Sequence, residues 1–88
     1  GGTAEALEGV AHGDAKTSHL VGRRIDQVKL PAGARIGAIV RGEGSSAHTV
    51  VPTHDVVIEP DDHVIIFLPN KRMVREVEKL FQVRATFL

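Results

Sequence analysis

The sequence predicts a small α+β domain: a mixed sheet of about four short strands, with a short helix after the first strand and an amphipathic helix at the C-terminal end, in the order β-α-β-β-β-β-α. Three observations carry this. "ARIGAIVR" alternates apolar and polar positions, "HVIIFL" is a short continuous apolar run, and Met73, Val74, Val77, Leu80 and Phe81 recur at i, i+1, i+4, i+7 and i+8. Eighty-eight residues allow one small core.

Along the chain, "TAEALEGV" reads as helix-prone and short, weakened by Gly9 and Gly13, and leads into the polar linker "HGDAKTS". Residues 1–17 are therefore expected to be a linker or the end of a preceding element, residues 18–82 the domain itself and residues 83–88 a tail. The Gly-Gly start without an initiating Met reads as a cut end, so a function shared with residues upstream is expected.

"HLV", His19–Val21, reads as a short strand, and Ile25 and Val28 share one face of a single helical turn that Pro31 ends. In the next strand Ile36, Ala38 and Val40 fall on one face by strict alternation, with Arg35, Gly37, Ile39 and Arg41 on the other. Arg35 and Arg41 then project the same way. "AHTVV" continues as a strand up to Pro52 and closes an antiparallel hairpin with it, across the loop "GEGSS".

"DVVI" and "VIIFL" read as two strands around the turn "EPDD", in which Asp61 tolerates the left-handed conformation. Because "VIIFL" is continuous, it is expected to be covered on both faces. Asn70 is a suitable N-cap for the last helix.

Composition narrows the function. Eleven basic and eleven acidic residues cancel, and the aromatics are Phe67, Phe81 and Phe87, which argues against nucleic-acid binding. Without cysteine there is no disulfide, no thiolate nucleophile and no sulfur-ligated zinc. No apolar run approaches the roughly 20 residues that span a bilayer, so direct membrane insertion is not expected.

Candidate chemistry is thin. His48, His54 and His63 lack any metal-ligand spacing, and no metal site is expected. Asp61 and Asp62 are adjacent, so they diverge from each other rather than face a substrate, and a solvated turn accounts for them. Ser18, Ser45 and Ser46 have no positioned base or nucleophile elbow, and the chain is read as non-catalytic. "RGEGSS" has no third glycine and no following helix to make it a nucleotide loop. Lys71 and Arg72, in the first turn of the last helix, oppose the helix dipole and could mark an anion or partner site, although pairing with Glu76 and Glu78 explains them more simply.

Taken in order, Gly22, Leu30 with Pro31, Ile36, Ile39 and Arg41, Pro52, and Asp62 before His63–Leu68 reproduce a known pattern. From Ser18 to Phe81 the chain resembles the C-terminal subdomain of RCK proteins, the TrkA-C family. One departure is Asp61, which stands where the family has a turn glycine. The resemblance implies the regulatory and dimerisation module of a Trk-type potassium-uptake subunit, cytoplasmic and peripheral to the inner face of the plasma membrane. It also implies NAD(H), ATP or ADP bound by Rossmann-like domains upstream, of which residues 1–17 would be the end, and a membrane K+ transporter as partner.

Too little chain to cover its apolar strand faces makes a homodimer the expected state, with Ile36, Ile39 and Val40 as candidate pairing residues. Some members of the family bind cyclic di-AMP in a cleft between two protomers. By position that cleft would use Arg35, Ile36, Pro52 and His54, with Arg41 beside Arg35 able to clamp a phosphate or carboxylate. A small-ligand sensor for a cyclic dinucleotide or an anionic metabolite is the alternative function.

Overall fold

The computed structural model describes residues 5–81. Four strands form one sheet in the order β1-β4-β2-β3: β1 (Glu5–Val10), β2 (Arg35–Arg41), β3 (His48–Val50) and β4 (His63–Leu68). Each neighbouring pair is antiparallel. The α+β class and the C-terminal helix are as expected, but the sheet is antiparallel throughout the described residues rather than mixed.

The first strand corrects the sequence reading. Glu5–Val10 pairs residue for residue with β4, from Glu5 opposite Leu68 to Val10 opposite His63. Ala, Leu and Glu favour a helix by only tenths of a kcal/mol per residue, and a six-residue ladder outweighs that. Gly9 sits where a close approach demands it, since a Cβ there would lie 2.7 Å from the Phe81 ring of the helix crossing above.

The strand expected at His19–Val21 is a turn, although Leu20 and Val21 are core residues. The Ser18 hydroxyl accepts both the Leu20 and Val21 amides, at 3.0 Å each, which bends the chain before extended pairing can begin. Pairing starts after Gly22, whose φ of 83° turns the backbone. Arg24 then forms an isolated bridge to Val57, and this bridge is all that forms of the strand expected at Asp55–Ile58. The expected short helix is a single 3-10 turn, Ile25–Gln27.

A β-bulge breaks the alternation of β2. Ile36 faces Ile66, but Ala38 faces Ile65, so Gly37 is the extra residue. Ile36 and Ile39 therefore both point into the core, at 8% and 0% exposure, instead of onto opposite faces. For the same reason Arg35 and Arg41 lie on opposite faces of the sheet. The β2–β3 hairpin forms as expected.

In β4 the apolar run does alternate. Val64, Ile66 and Leu68 are buried, whereas Phe67 is 43% exposed, so the expected two-sided cover is one-sided among the described residues. The positive φ of Asp61, 68°, makes the turn before it as expected.

Asn70 caps the last helix as expected, accepting the Arg72 amide at 2.9 Å. A 3-10 turn, Lys71–Met73, runs into α1 (Val74–Phe81), whose Val77 is fully buried and whose Leu80 and Phe81 pack on the core. Lys71 reaches Glu5 of β1 at 3.7 Å rather than the glutamates of its own helix. The tail expected at 83–88 lies outside the described residues.

The core lies on one face of the sheet: Ile36, Ile39, Val64, Ile66 and Leu68 from the strands, Leu20, Val21 and Ile58 from the loops, and Val77 from α1. Fully burying such side chains stabilises the fold by about 1.5–3 kcal/mol each.

Candidate functional site

Two places in this fold hold side chains that do more than fill the core. The first is a buried ion pair at the end of β2. Arg41 donates from Nε to Asp62 Oδ1 and from Nη2 to Oδ2, both at 2.9 Å, in the bidentate fork that suits guanidinium and carboxylate. Nη2 also donates to the Val57 carbonyl at 3.0 Å, and Nη1 lies 2.8 Å from Glu59 Oε2.

Asp62 is completely buried, and its Oδ2 also accepts the Glu59 amide at 2.8 Å. Both carboxylate oxygens are thus satisfied, the condition under which a buried charge is tolerated. The hydrogen bonds that Arg41 donates to Asp62 are the main cause that holds the Arg41 pKa above its ordinary value, with burial opposing them. Asp62 is therefore a buried anchor, not the solvated turn residue expected; Asp61 alone is solvent-facing. Arg41 has too few donors left to clamp a ligand with Arg35.

The second place is the outer face of the sheet, opposite α1. The register puts Ala6 beside Phe67, Glu8 beside Ile65, Arg35 beside Phe67 and Ala38 beside Ile65. Phe67 lies over Gly37, where a Cβ would run into its ring, and the Arg35 guanidinium sits 5.8 Å from the ring centroid. Glu8 is 3.7 Å from His63. The result is an apolar strip with a cation at one end and a carboxylate at the other. Val51, just after β3, is also exposed, at 71%.

The residues expected at a ligand cleft are therefore dispersed. Ile36 is in the core and Arg41 is bound to Asp62, whereas Arg35 is on the outer face. His54 contributes its carbonyl to the Asp26 amide at 3.1 Å, and Pro52 follows β3. None of the hydrogen bonds or ion pairs among the described residues joins Arg35, Pro52 and His54. Of the candidate pairing residues, Ile36 and Ile39 are unavailable because the bulge turns them inward, while Val40 stays half-buried on the outer face.

The sequence reading missed Phe67 as a surface residue, because an apolar run does not say which face is covered. It also missed the Arg41–Asp62 pair, whose members are 21 positions apart. Among the described residues no three His, Asp or Glu side chains converge as metal ligands. The loop after β2 enters a 3-10 turn and then β3, so no helix N-terminus is there to cradle a nucleotide phosphate.

Two polar positions of the motif, Arg41 and Asp62, thus meet in space. The model of the TrkA-C domain matches residues 15–82. The chain belongs to the TrkA-C domain family. It is 57% identical, over 99% of its length, to the Trk system potassium uptake protein TrkA of Vibrio alginolyticus, and 50% identical over 98% to that of Halomonas elongata. A third relative of the same name, from Haemophilus influenzae, is 46% identical over 99%. The chain spans 18% of the length of each of these relatives. The TrkA-C pattern and the fold agree: its Arg and Asp are the two halves of the buried pair. No helix among the described residues is long and apolar enough to cross a membrane.

Proposed function

We propose that this TrkA-C domain is the regulatory C-terminal module of a Trk-type potassium-uptake subunit, and that two copies pair through the outer face of the sheet. The observation that carries the reading is the uncovered apolar strip around Phe67, in a domain whose relatives at 46–57% identity are named as potassium-uptake proteins. Pairing would bury that strip. The strip carries a cation, Arg35 on β2, and a carboxylate, Glu8 on β1, so it offers opposite charges as well as apolar surface to a second copy.

The domain contributes no chemistry of its own on this reading. It serves as a joint: nucleotide (NAD(H), ATP or ADP) bound upstream favours one arrangement of the paired modules, and that arrangement is passed to the membrane K+ transporter. The assembly sits in the cytoplasm against the inner membrane face.

Transplanting this chain into the Vibrio alginolyticus relative, in place of the matching 18% of its length, tests the reading in a strain that depends on that relative for growth at low potassium. Growth is expected with the wild-type module and is expected to fail with Phe67→Glu. A wild-type chimaera that is made and stable yet restores nothing contradicts the function, and a Phe67→Glu chimaera that grows normally contradicts the pairing surface.

A further inference from the structure

The cations of this chain are not evenly spread. Arg41 is paired with Asp62 and Glu59, yet Arg23 and Lys29, with His19 and Gln27, line a cleft of about 190 Å³ closed on one side by Leu80 of α1. Among the described residues no carboxylate lines it. Among the described residues neither Arg23, Lys29 nor His19 makes an ion pair, whereas the neighbouring Arg24 is bonded to Asp26 at 3.0 Å.

The donors are also arranged in advance. Arg23 Nη1 donates to the carbonyls of Ser18 at 2.8 Å and Val21 at 3.2 Å, which fixes the guanidinium while leaving its Nε and Nη2 edge without a partner among the described residues. Gln27 Oε1 accepts the Arg24 amide at 3.0 Å, so the group that Gln27 has left to offer is its NH2. A guanidinium edge, an ammonium and an amide NH2 are donors without acceptors, and the chemical match to such a set is an oxyanion.

We infer that this cleft binds a phosphate or diphosphate group. Its volume is below the roughly 300–1,000 Å³ of pockets that enclose drug-sized ligands, so the site takes the phosphoryl end of a molecule and not a whole dinucleotide. A free phosphorylated metabolite and a lipid headgroup both carry that group, and the test separates the two. The site is separate from the outer sheet face, so it stands or falls independently of pairing.

The test is amide chemical-shift mapping of the chain at low salt, titrated with inorganic pyrophosphate and, separately, with phosphatidylcholine vesicles with and without phosphatidic acid. Saturable shifts centred on His19, Gln27 and Lys29 are expected. Pyrophosphate producing them identifies a free phosphate ligand; phosphatidic acid vesicles alone producing them identify a headgroup. Lys29→Gln, which disturbs no hydrogen bond of the fold, should weaken the effect about tenfold, and Arg23→Gln at least as much, while Arg35→Gln should leave it unchanged. Shifts that never saturate, that centre on Lys71 and Arg72, or that ignore Lys29→Gln overturn the inference.

Discussion

The two ends of β2 carry an arginine each, and the fold uses them in opposite ways. Arg41 is turned inward and welded to a fully buried carboxylate, with Glu59 and the Val57 carbonyl completing its shell. Arg35 is turned outward over the exposed ring of Phe67 and has no carboxylate partner among the described residues. One extra residue, Gly37, separates these fates, because the bulge moves one half of the strand by a step relative to the other. A buried charge must be satisfied within its own chain, whereas an exposed cation on an apolar strip is free for a partner.

Breaking the inner end should have the largest effect. Asp62→Ala removes the anchor, and Arg41→Ala leaves the carboxylate buried and unpaired. Each should destabilise the domain by about 3 kcal/mol or more in urea denaturation, at about 4–8 °C of Tm per kcal/mol for a domain of this size. Replacing both at once, Arg41→Met with Asp62→Leu, should recover much of the loss. If the single changes cost nothing, the pair is not the anchor described here.

The two close-approach glycines sharpen the contrast between the faces. Gly9→Ala pushes against Phe81 under the last helix and should cost about 1–3 kcal/mol. Gly37→Ala pushes against Phe67, which can swing into solvent, so denaturation should show a smaller loss than for Gly9→Ala. An equal or larger cost at Gly37 would mean that the Phe67 ring is held in place.

At the outer end, Phe67→Glu should change the stability of the isolated domain by no more than about 0.5 kcal/mol, as at other exposed sites. Self-association, read by sedimentation, should be lost. Stability unchanged with association lost is the signature of a surface built for a partner.

The smallest effect concerns two exposed carboxylates. The Lys16 and Thr17 amides hold the Asp14 carboxyl below its ordinary 3.8, and the Thr53 hydroxyl does the same for Asp55. A folded-state pKa lowered in this way adds stability that is complete above the unfolded value, near 3.8, and fades as the pH falls through the folded value. Denaturation midpoints at about pH 6 and about pH 3 should therefore differ less for Asp14→Asn than for the wild type.

What was legible in the sequence follows the same division. Local signals held: the Asn70 cap, the α1 stripe, the Asp61 turn and the β2–β3 hairpin each rest on neighbouring residues. The order of motifs from Gly22 to Asp62 carried the family before any geometry. Hidden were the features that depend on distant partners. Glu5–Val10 becomes a strand because β4 offers it a ladder, and the Arg41–Asp62 bond closes across the fold; the bend of His19–Val21 by the Ser18 hydroxyl is local and could have been read from the sequence. The bulge was hidden too, since strict alternation assumes that no residue is extra; a glycine in mid-strand was the available hint. The candidate site suffered most, because a one-residue slip reassigns every side chain beyond it to the other face.

The most direct test of the central claim, that the outer face is kept apolar for a second copy, is sedimentation equilibrium of the wild-type chain beside Phe67→Glu over a wide concentration range. The account predicts a reversible dimer for the wild type and a folded monomer for the variant. A wild-type chain that stays monomeric throughout, or a variant that dimerises as well as the wild type, would contradict it.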